Sequence, residues 1–203
     1  MQKRIFDRLT ESGISVSEEQ AGKLASFLEL MLRWNEVHNL TSVTDLDEMI
    51  DRHLVESLAC APYLQGDRVA DVGSGAGLPG IPLAIARPEI QFTLIESRGK
   101  RVRFLEHIRG ALELSNVVVE HARAEDLSPE QPFVTVLARA VAAPSELIAL
   151  TQQLRAEEGI LLILTRANYE EELPAEGFIA RIADDPVTRS LKGALVIIEA
   201  LKS

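Results

Sequence analysis

The chain contains one cysteine, Cys60. No internal disulfide can form, and no zinc site with two or more thiolates can be built. Such usage fits a reducing compartment. Long apolar runs are also missing. The longest, such as Ile160-Leu161-Leu162-Ile163-Leu164, fall far short of the roughly 20 residues a helix needs to cross a bilayer. The opening residues, Met1-Gln2-Lys3-Arg4-Ile5-Phe6-Asp7-Arg8, mix charges where a secretory signal needs an apolar centre. Neither repeats nor low-complexity segments occur. Basic residues are outnumbered, 21 Lys and Arg against 31 Asp and Glu, for a net charge of −10. That balance argues against indiscriminate nucleic-acid binding, which needs a net basic surface. The expectation is a cytoplasmic monomer that uses neither membrane nor metal.

What is present describes a folded chain. Of 203 residues, 46% are hydrophobic and 26% charged, the balance of a globular protein rather than a disordered one. The length suits one generous domain, or one domain with an appendage. Charge is segregated along it. Arg98, Lys100, Arg101, Arg103 and Arg109 face only Glu96 and Glu106, giving residues 96–109 a net charge of +3 inside an acidic protein.

The first part reads as helices. Ser17 followed by Gln20 has the form of a capping box, and Leu24, Leu28 and Met31 recur behind it at helical spacing, with Phe27 and Trp34 beside them. A second helix opens near Thr44 or Asp45, carries Leu46, Ile50, Leu54 and Leu58, and stops at Pro62. After Gly66 the pattern changes. Apolar runs of strand length occupy Val69–Val72, Phe92–Ile95, Val117–Val119, Phe133–Leu137, Ile160–Leu164, Phe178–Ala183 and Ala194–Glu199. Helical stretches fit between the early ones at Pro79–Ala86, Lys100–Leu114 and Ser145–Leu154. This alternation predicts an α/β fold: a doubly wound, mostly parallel seven-stranded sheet, closed by an antiparallel edge hairpin. Residues 1–65 are expected to form a helical extension and residues 66–203 the α/β core.

The most informative stretch is Asp71-Val72-Gly73-Ser74-Gly75-Ala76-Gly77-Leu78-Pro79-Gly80. It follows a strand and opens a helix, and its alternate glycines allow a tight turn and close approach of backbone to a ligand. Residues Gly75 to Gly80 match the dinucleotide pattern G-x-G-x-x-G. Against that reading stands Asp71, whose charge at the strand end opposes a pyrophosphate but suits a ligand with a cationic amino-acid end. Glu96, after the next strand, is placed to accept two ribose hydroxyls, as acids about 20 residues downstream do in nucleotide sites. S-adenosylmethionine is favoured over NAD.

Several further words make the chain similar to a known family along nearly its whole length. They are Trp34-Asn35, Asn39-Leu40-Thr41, Arg52-His53, Ser57-Leu58, the turn through Leu78-Pro79-Gly80-Ile81-Pro82, Glu96-Ser97, Lys100-Arg101-Val102-Arg103-Phe104-Leu105, Arg123-Ala124-Glu125 and Ala138-Arg139-Ala140. The chain resembles the small-subunit ribosomal RNA methyltransferase G family, also called glucose-inhibited division protein B. The resemblance implies a class I (Rossmann-like) methyltransferase fold, S-adenosyl-L-methionine as cofactor, and methyl transfer to N7 of guanosine 527 in 16S rRNA, free or in a small-subunit assembly intermediate. It places cofactor contacts on Gly73, Leu78, Ala124, Glu125 and Arg139, to which the turn and strand pattern adds Gly75, Gly77 and Glu96. Some positions depart from the family pattern: Glu56 replaces Asp, Ala138 replaces Ser, Thr165-Arg166 replaces Lys-Gly, and the Arg-His pair of the last hairpin is missing around Lys192-Gly193-Ala194.

Guanine N7 carries a lone pair and no proton, so its methylation needs no general base. No acid–base residue is expected, and Arg139 is expected near the substrate mouth. The basic residues Lys100, Arg101, Arg103 and Arg123 are expected to hold RNA. His53 is read as a hydrogen-bonded structural histidine rather than a metal ligand, Trp34 as packing between the N-terminal helices and the sheet, and Cys60 as a small buried apolar residue.

Overall fold

The computed structural model describes residues 1–139, 143–165 and 176–201; Ala140 and Arg166 lie outside the described residues. Helix α1 (Gln2–Glu11) and α2 (Glu18–His38) open the chain. The start of α2 is the predicted capping box: the Gln20 N–H donates to Ser17 Oγ at 3.1 Å, and the Ser17 N–H donates to Gln20 Oε1 at 2.8 Å. The end of α2 is Asn39, with φ 49°, a left-handed cap that a short polar side chain tolerates.

The second predicted helix is composite. An α-helical turn α3 (Leu46–Met49) leads into a π-helical stretch (Ile50–Val55) and then α4 (Glu56–Leu58). The wide turn lies where Arg52, His53 and Glu56 face the rest of the molecule, in keeping with the habit of π-bulges to occur at functional sites.

From there strands and helices alternate: β1 (Arg68–Val72), α5 (Gly80–Ala86), β2 (Gln91–Ile95), α6 (Gly99–Ala111), β3 (Val117–Glu120), β4 (Phe133–Arg139), α7 (Pro144–Leu150), β5 (Arg155–Leu164), β6 (Phe178–Ile182) and β7 (Leu195–Ala200). They form a seven-stranded sheet in the order β3-β2-β1-β4-β5-β7-β6. Strands β1 to β5 pair in parallel, and β7 runs antiparallel to both β5 and β6. The expected sheet and edge hairpin are therefore both present.

Strand alternation divides the core. Val69, Leu94 and Leu137 pack with Phe27, Met31, Leu54 and Phe104, so the N-terminal helices and the sheet share one apolar cluster. Ala70, Val72, Val136 and Ala138 face the other way, against Leu147 and Ile148 of α7. Trp34 takes part through its edge, T-shaped against Phe104 at 5.5 Å and flanked by His38 and His107; it is half-buried, joining α2 to α6. Cys60 is 1% exposed, in line with its apolar reading. No helix among the described residues is long and apolar enough to cross a membrane.

This topology fixes where a ligand can sit. The sheet order reverses between β1 and β4, and open α/β sheets bind ligands outside the carboxyl ends of strands at that switch point.

Candidate active site

The carboxyl ends of β2, β1 and β4 open onto a cleft of about 580 Å³, walled in part by Gly73, Ser74, Gly75, Leu78, Glu96, Ser97, Arg98, Arg101 and Arg139. The glycine turn forms its floor. Gly73, Gly75 and Gly77 have φ of 67°, 59° and 80°, left-handed values that favour glycine. Their roles differ. A Cβ on Gly75 would lie 3.6 Å from Arg101 Nη1, at the cleft wall, whereas one on Gly77 would meet Ile81 Cγ1 at 2.6 Å in the core. Gly77 thus lets the turn close on α5 and does not line the cleft.

Glu96 is 4% exposed and ties the turn to the start of α6. Its Oε2 accepts the Gly75 N–H at 3.0 Å and its Oε1 accepts the Arg98 N–H at 2.8 Å. An ionised carboxylate offers about four acceptor positions. Two are taken, and the remainder suit a vicinal diol. Arg101 Nη1 stands 3.6 Å from Glu96 Oε2. Arg101 therefore belongs to the cleft, while Lys100 and Arg103 are exposed beside it. The helical wheel carries the signal: Arg101, Leu105 and Ile108 follow i, i+4, i+7 and share the inner face, and Lys100 and Arg103 fall outside it.

Asp71 sits differently from the sequence expectation of a charge presented to a ligand. It is fully buried, and its Oδ2 accepts the Gly80 N–H at 3.1 Å, clasping the first turn of α5. Its Oδ1 has no partner among the described residues. Burial pushes the carboxyl up to about 7, against the Gly80 hydrogen bond and nearby Arg139. Between about pH 4 and 7 the folded chain holds a proton on Asp71 that the unfolded chain has shed. The stability this group contributes falls as pH rises across that window and is level above it. Asp71→Asn keeps an acceptor for Gly80 and carries no charge. Relative to the native chain it is expected to gain stability as pH rises from 4 to 7, read from urea midpoints. A difference that stays constant with pH would mean that Asp71 ionises as freely as an exposed carboxyl. Buried His53, held down at about 4 by desolvation and Arg139, has the opposite slope. The comparison with the variant isolates Asp71.

The remaining wall comes from the loop after α2, which sequence reasoning did not assign to the site. Leu40, Thr41, Ser42 and Val43 line the cleft with Arg52 and His53. Asn35 Oδ1 accepts the Thr41 N–H at 2.9 Å, and Thr41 Oγ1 lies 3.0 Å from His53 Nε2. His53 is thus the hydrogen-bonded histidine expected. The family words Trp34-Asn35, Asn39-Leu40-Thr41 and Arg52-His53 are the sequence signal for this loop. Arg139 ends β4 with its guanidinium 3.0 Å from Glu56. Ala124 is buried and Glu125 exposed on the turn after β3; neither lines the cleft. Arg123 is exposed, 3.8 Å from Glu125. Among the described residues no group of three or more His, Cys, Asp or Glu could hold a metal.

A carboxylate at one end, the backbone of the glycine turn along the floor and a guanidinium at the other end fit an adenosyl amino acid. The comparisons agree with this geometry. A methyltransferase from Geobacter sulfurreducens superposes with a TM-score of 0.60 at 13% identity, covering 87% of this chain and 89% of that one. A SAM-dependent methyltransferase from Aquifex aeolicus gives 0.57 at 14%, covering 83% and 97%. These likenesses establish the fold. By sequence, the ribosomal RNA small subunit methyltransferase G of Escherichia coli O17:K52:H18 is 41% identical over 173 residues, 85% of this chain and 84% of that one. The protein of the same name from Shigella flexneri is 43% identical over 165 residues, 81% and 80%. The family model described as rRNA small subunit methyltransferase G matches residues 20–184. On that match and those identities, the chain belongs to the rRNA small subunit methyltransferase G family.

Proposed function

We propose that the protein transfers a methyl group from S-adenosylmethionine to N7 of guanosine 527 in 16S rRNA. The observation that carries the cofactor reading is Glu96, buried after β2 on the cleft wall, with one acceptor position taken by the glycine turn, one by the start of α6, and two not taken. Bound S-adenosylmethionine supplies a methyl carbon made electrophilic by its positively charged sulfur. The protein's own part is positioning. Glu96 holds the ribose hydroxyls, the Gly73–Gly75 backbone lies against the cofactor, Leu78 gives an apolar contact, and Arg139 holds the amino-acid end. Because N7 has no proton to remove, alignment supplies most of the rate, and good alignment is worth roughly 7–11 kcal/mol.

RNA approaches from the exposed side of α6. Lys100 and Arg103 are exposed and form no ion pair among the described residues, which leaves both free for phosphates. Arg123 adds a third cation. Replacing Lys100 and Arg103 by alanine is expected to lower the log–log salt slope of RNA binding by about 1.4, at about 0.7 per single-strand phosphate contact. S-adenosylhomocysteine affinity should not change. Arg101→Ala should do the reverse, weakening the cofactor more than the RNA. Normal RNA binding by the double variant at every salt concentration would make that helix face merely solvated.

Methyl transfer is tested by incubating purified protein and labelled S-adenosylmethionine with 16S rRNA and with small-subunit particles. Label is expected in N7-methylguanosine at one site. Label in another base, or none in either substrate, would overturn the proposal.

A further inference from the structure

The cleft is polar at both ends, and the two ends are held differently. Glu96 and Arg139 follow strands on either side of β1, so they stand roughly 10 Å apart, two strand spacings. Glu96 is fixed by two backbone N–H groups, those of Gly75 and Arg98. Arg139 has no such anchor. Its Nη2 donates to Glu56 Oε2 at 3.0 Å, both side chains are 17% exposed, and Nη1 is buried without a partner among the described residues. Glu56 does not line the cofactor cleft. It lines a separate cavity of about 390 Å³ with Arg8, Gly13 and Lys192, which Arg139 does not line.

An arginine taken this far out of water needs an anion, because an unpaired buried charge is strongly destabilising. Glu56 is the only ion-pair partner Arg139 has among the described residues. Burial pushes the Glu56 carboxyl up, while Arg139, Arg52 and Lys192 favour its charged form. Each partner thus keeps the other ionised. A guanidinium with one edge committed to Glu56 presents its remaining N–H groups in a fixed plane, the geometry that matches a carboxylate.

We propose that Glu56 is a positioning residue: it holds the Arg139 guanidinium at the end of β4 so that Arg139 receives the carboxylate of the cofactor's amino-acid end. The proposal rests on reading the cleft as an adenosylmethionine site. Glu56 acts through Arg139 and touches neither cofactor nor RNA.

The test compares two ligands by calorimetry on the full chain. S-adenosylhomocysteine carries the amino-acid end, and 5′-methylthioadenosine is the same nucleoside without it. Glu56→Gln is expected to weaken S-adenosylhomocysteine about tenfold, equivalent to about 1.4 kcal/mol, and to change methylthioadenosine less than twofold. Glu56→Asp keeps the charge and should fall between the native chain and Glu56→Gln; it also serves if Glu56→Gln fails to fold. In an Arg139→Met background, Glu56→Gln should cost S-adenosylhomocysteine nothing further. Equal loss of both ligands would mean that Glu56 merely supports the fold, and the proposal would fall. It would also fall if cofactor affinity were native while RNA affinity dropped, since Arg139 would then serve the RNA. If the native chain bound neither ligand, the adenosylmethionine reading itself would fail, a result distinct from either of these.

Discussion

Glu96→Gln is expected to weaken S-adenosylhomocysteine binding about a hundredfold while the protein stays folded. Hydrogen bonds to a charged group are worth about 1.5–3 kcal/mol, and each 1.4 kcal/mol is tenfold in affinity. The structure argues for the upper end of that range. Both carboxylate oxygens already accept backbone N–H groups, from Gly75 and Arg98. A glutamine must turn its own NH2 toward one of those donors. The variant therefore loses a ribose acceptor and also loosens one anchor of the turn that the cofactor lies on. Calorimetry reads the affinity, and circular dichroism confirms the fold. Native affinity would remove the ribose role from Glu96.

The largest effect on stability is expected at Gly80, whose sequence setting suggests only a helix start. A Cβ there would lie 2.3 Å from Leu94 Cδ2 and 2.7 Å from Asp71 Oδ2. The leucine can swing aside. The Asp71 carboxyl cannot, because it accepts the Gly80 N–H in a fully buried site. Gly80→Ala thus combines overpacking, about 1–3 kcal/mol, with damage to the buried hydrogen bond from the Gly80 N–H to Asp71. We expect a loss of about 2–4 kcal/mol from these two effects together. In a chain of this size that lowers the melting temperature by about 5–15 °C. A melting temperature within 2 °C of native would mean that Asp71 does not clasp α5.

The parts of this molecule that were legible in its sequence are those governed by local spacing. Alternation gave β1 and β2 almost to the residue, and the Ser17–Gln20 pair gave the start of α2, because period and capping act over a few neighbours. The π-helical stretch at Ile50–Val55 was hidden by the same logic: Leu46, Ile50, Leu54 and Leu58 keep a spacing of four that an unbroken α-helix would share. Strand β5 begins at Arg155 rather than Ile160. Arg155-Ala156-Glu157-Glu158 has none of the residues that favour strands; Arg155 pairs with Phe133 of β4, the register then shifts, and regular pairing resumes at Ile160 opposite Thr135.

In the site, the turn and Glu96 could be read because strand ends and glycines mark them. The clasp from Asp71 to Gly80 and the pair between Glu56 and Arg139 could not. The first spans nine residues without a period, and the second joins positions 83 apart. The first arises when the glycine turn brings α5 back against the end of β1, and the second when α4 is laid beside the end of β4. The loop at Leu40–Val43 reaches the cleft for the same tertiary reason.

Methylation at N7 leaves a chemical mark that can be read at a single nucleotide. N7-methylguanosine can be mapped in 16S rRNA by borohydride reduction and aniline cleavage, using cells that carry the gene, cells that lack it, and deleted cells supplied with the native or Glu96→Gln protein. Cleavage is expected at guanosine 527 in the first and not in the second, with restoration by the native protein but not by the variant. Cleavage at that position in cells lacking the protein would mean that another enzyme methylates this guanosine.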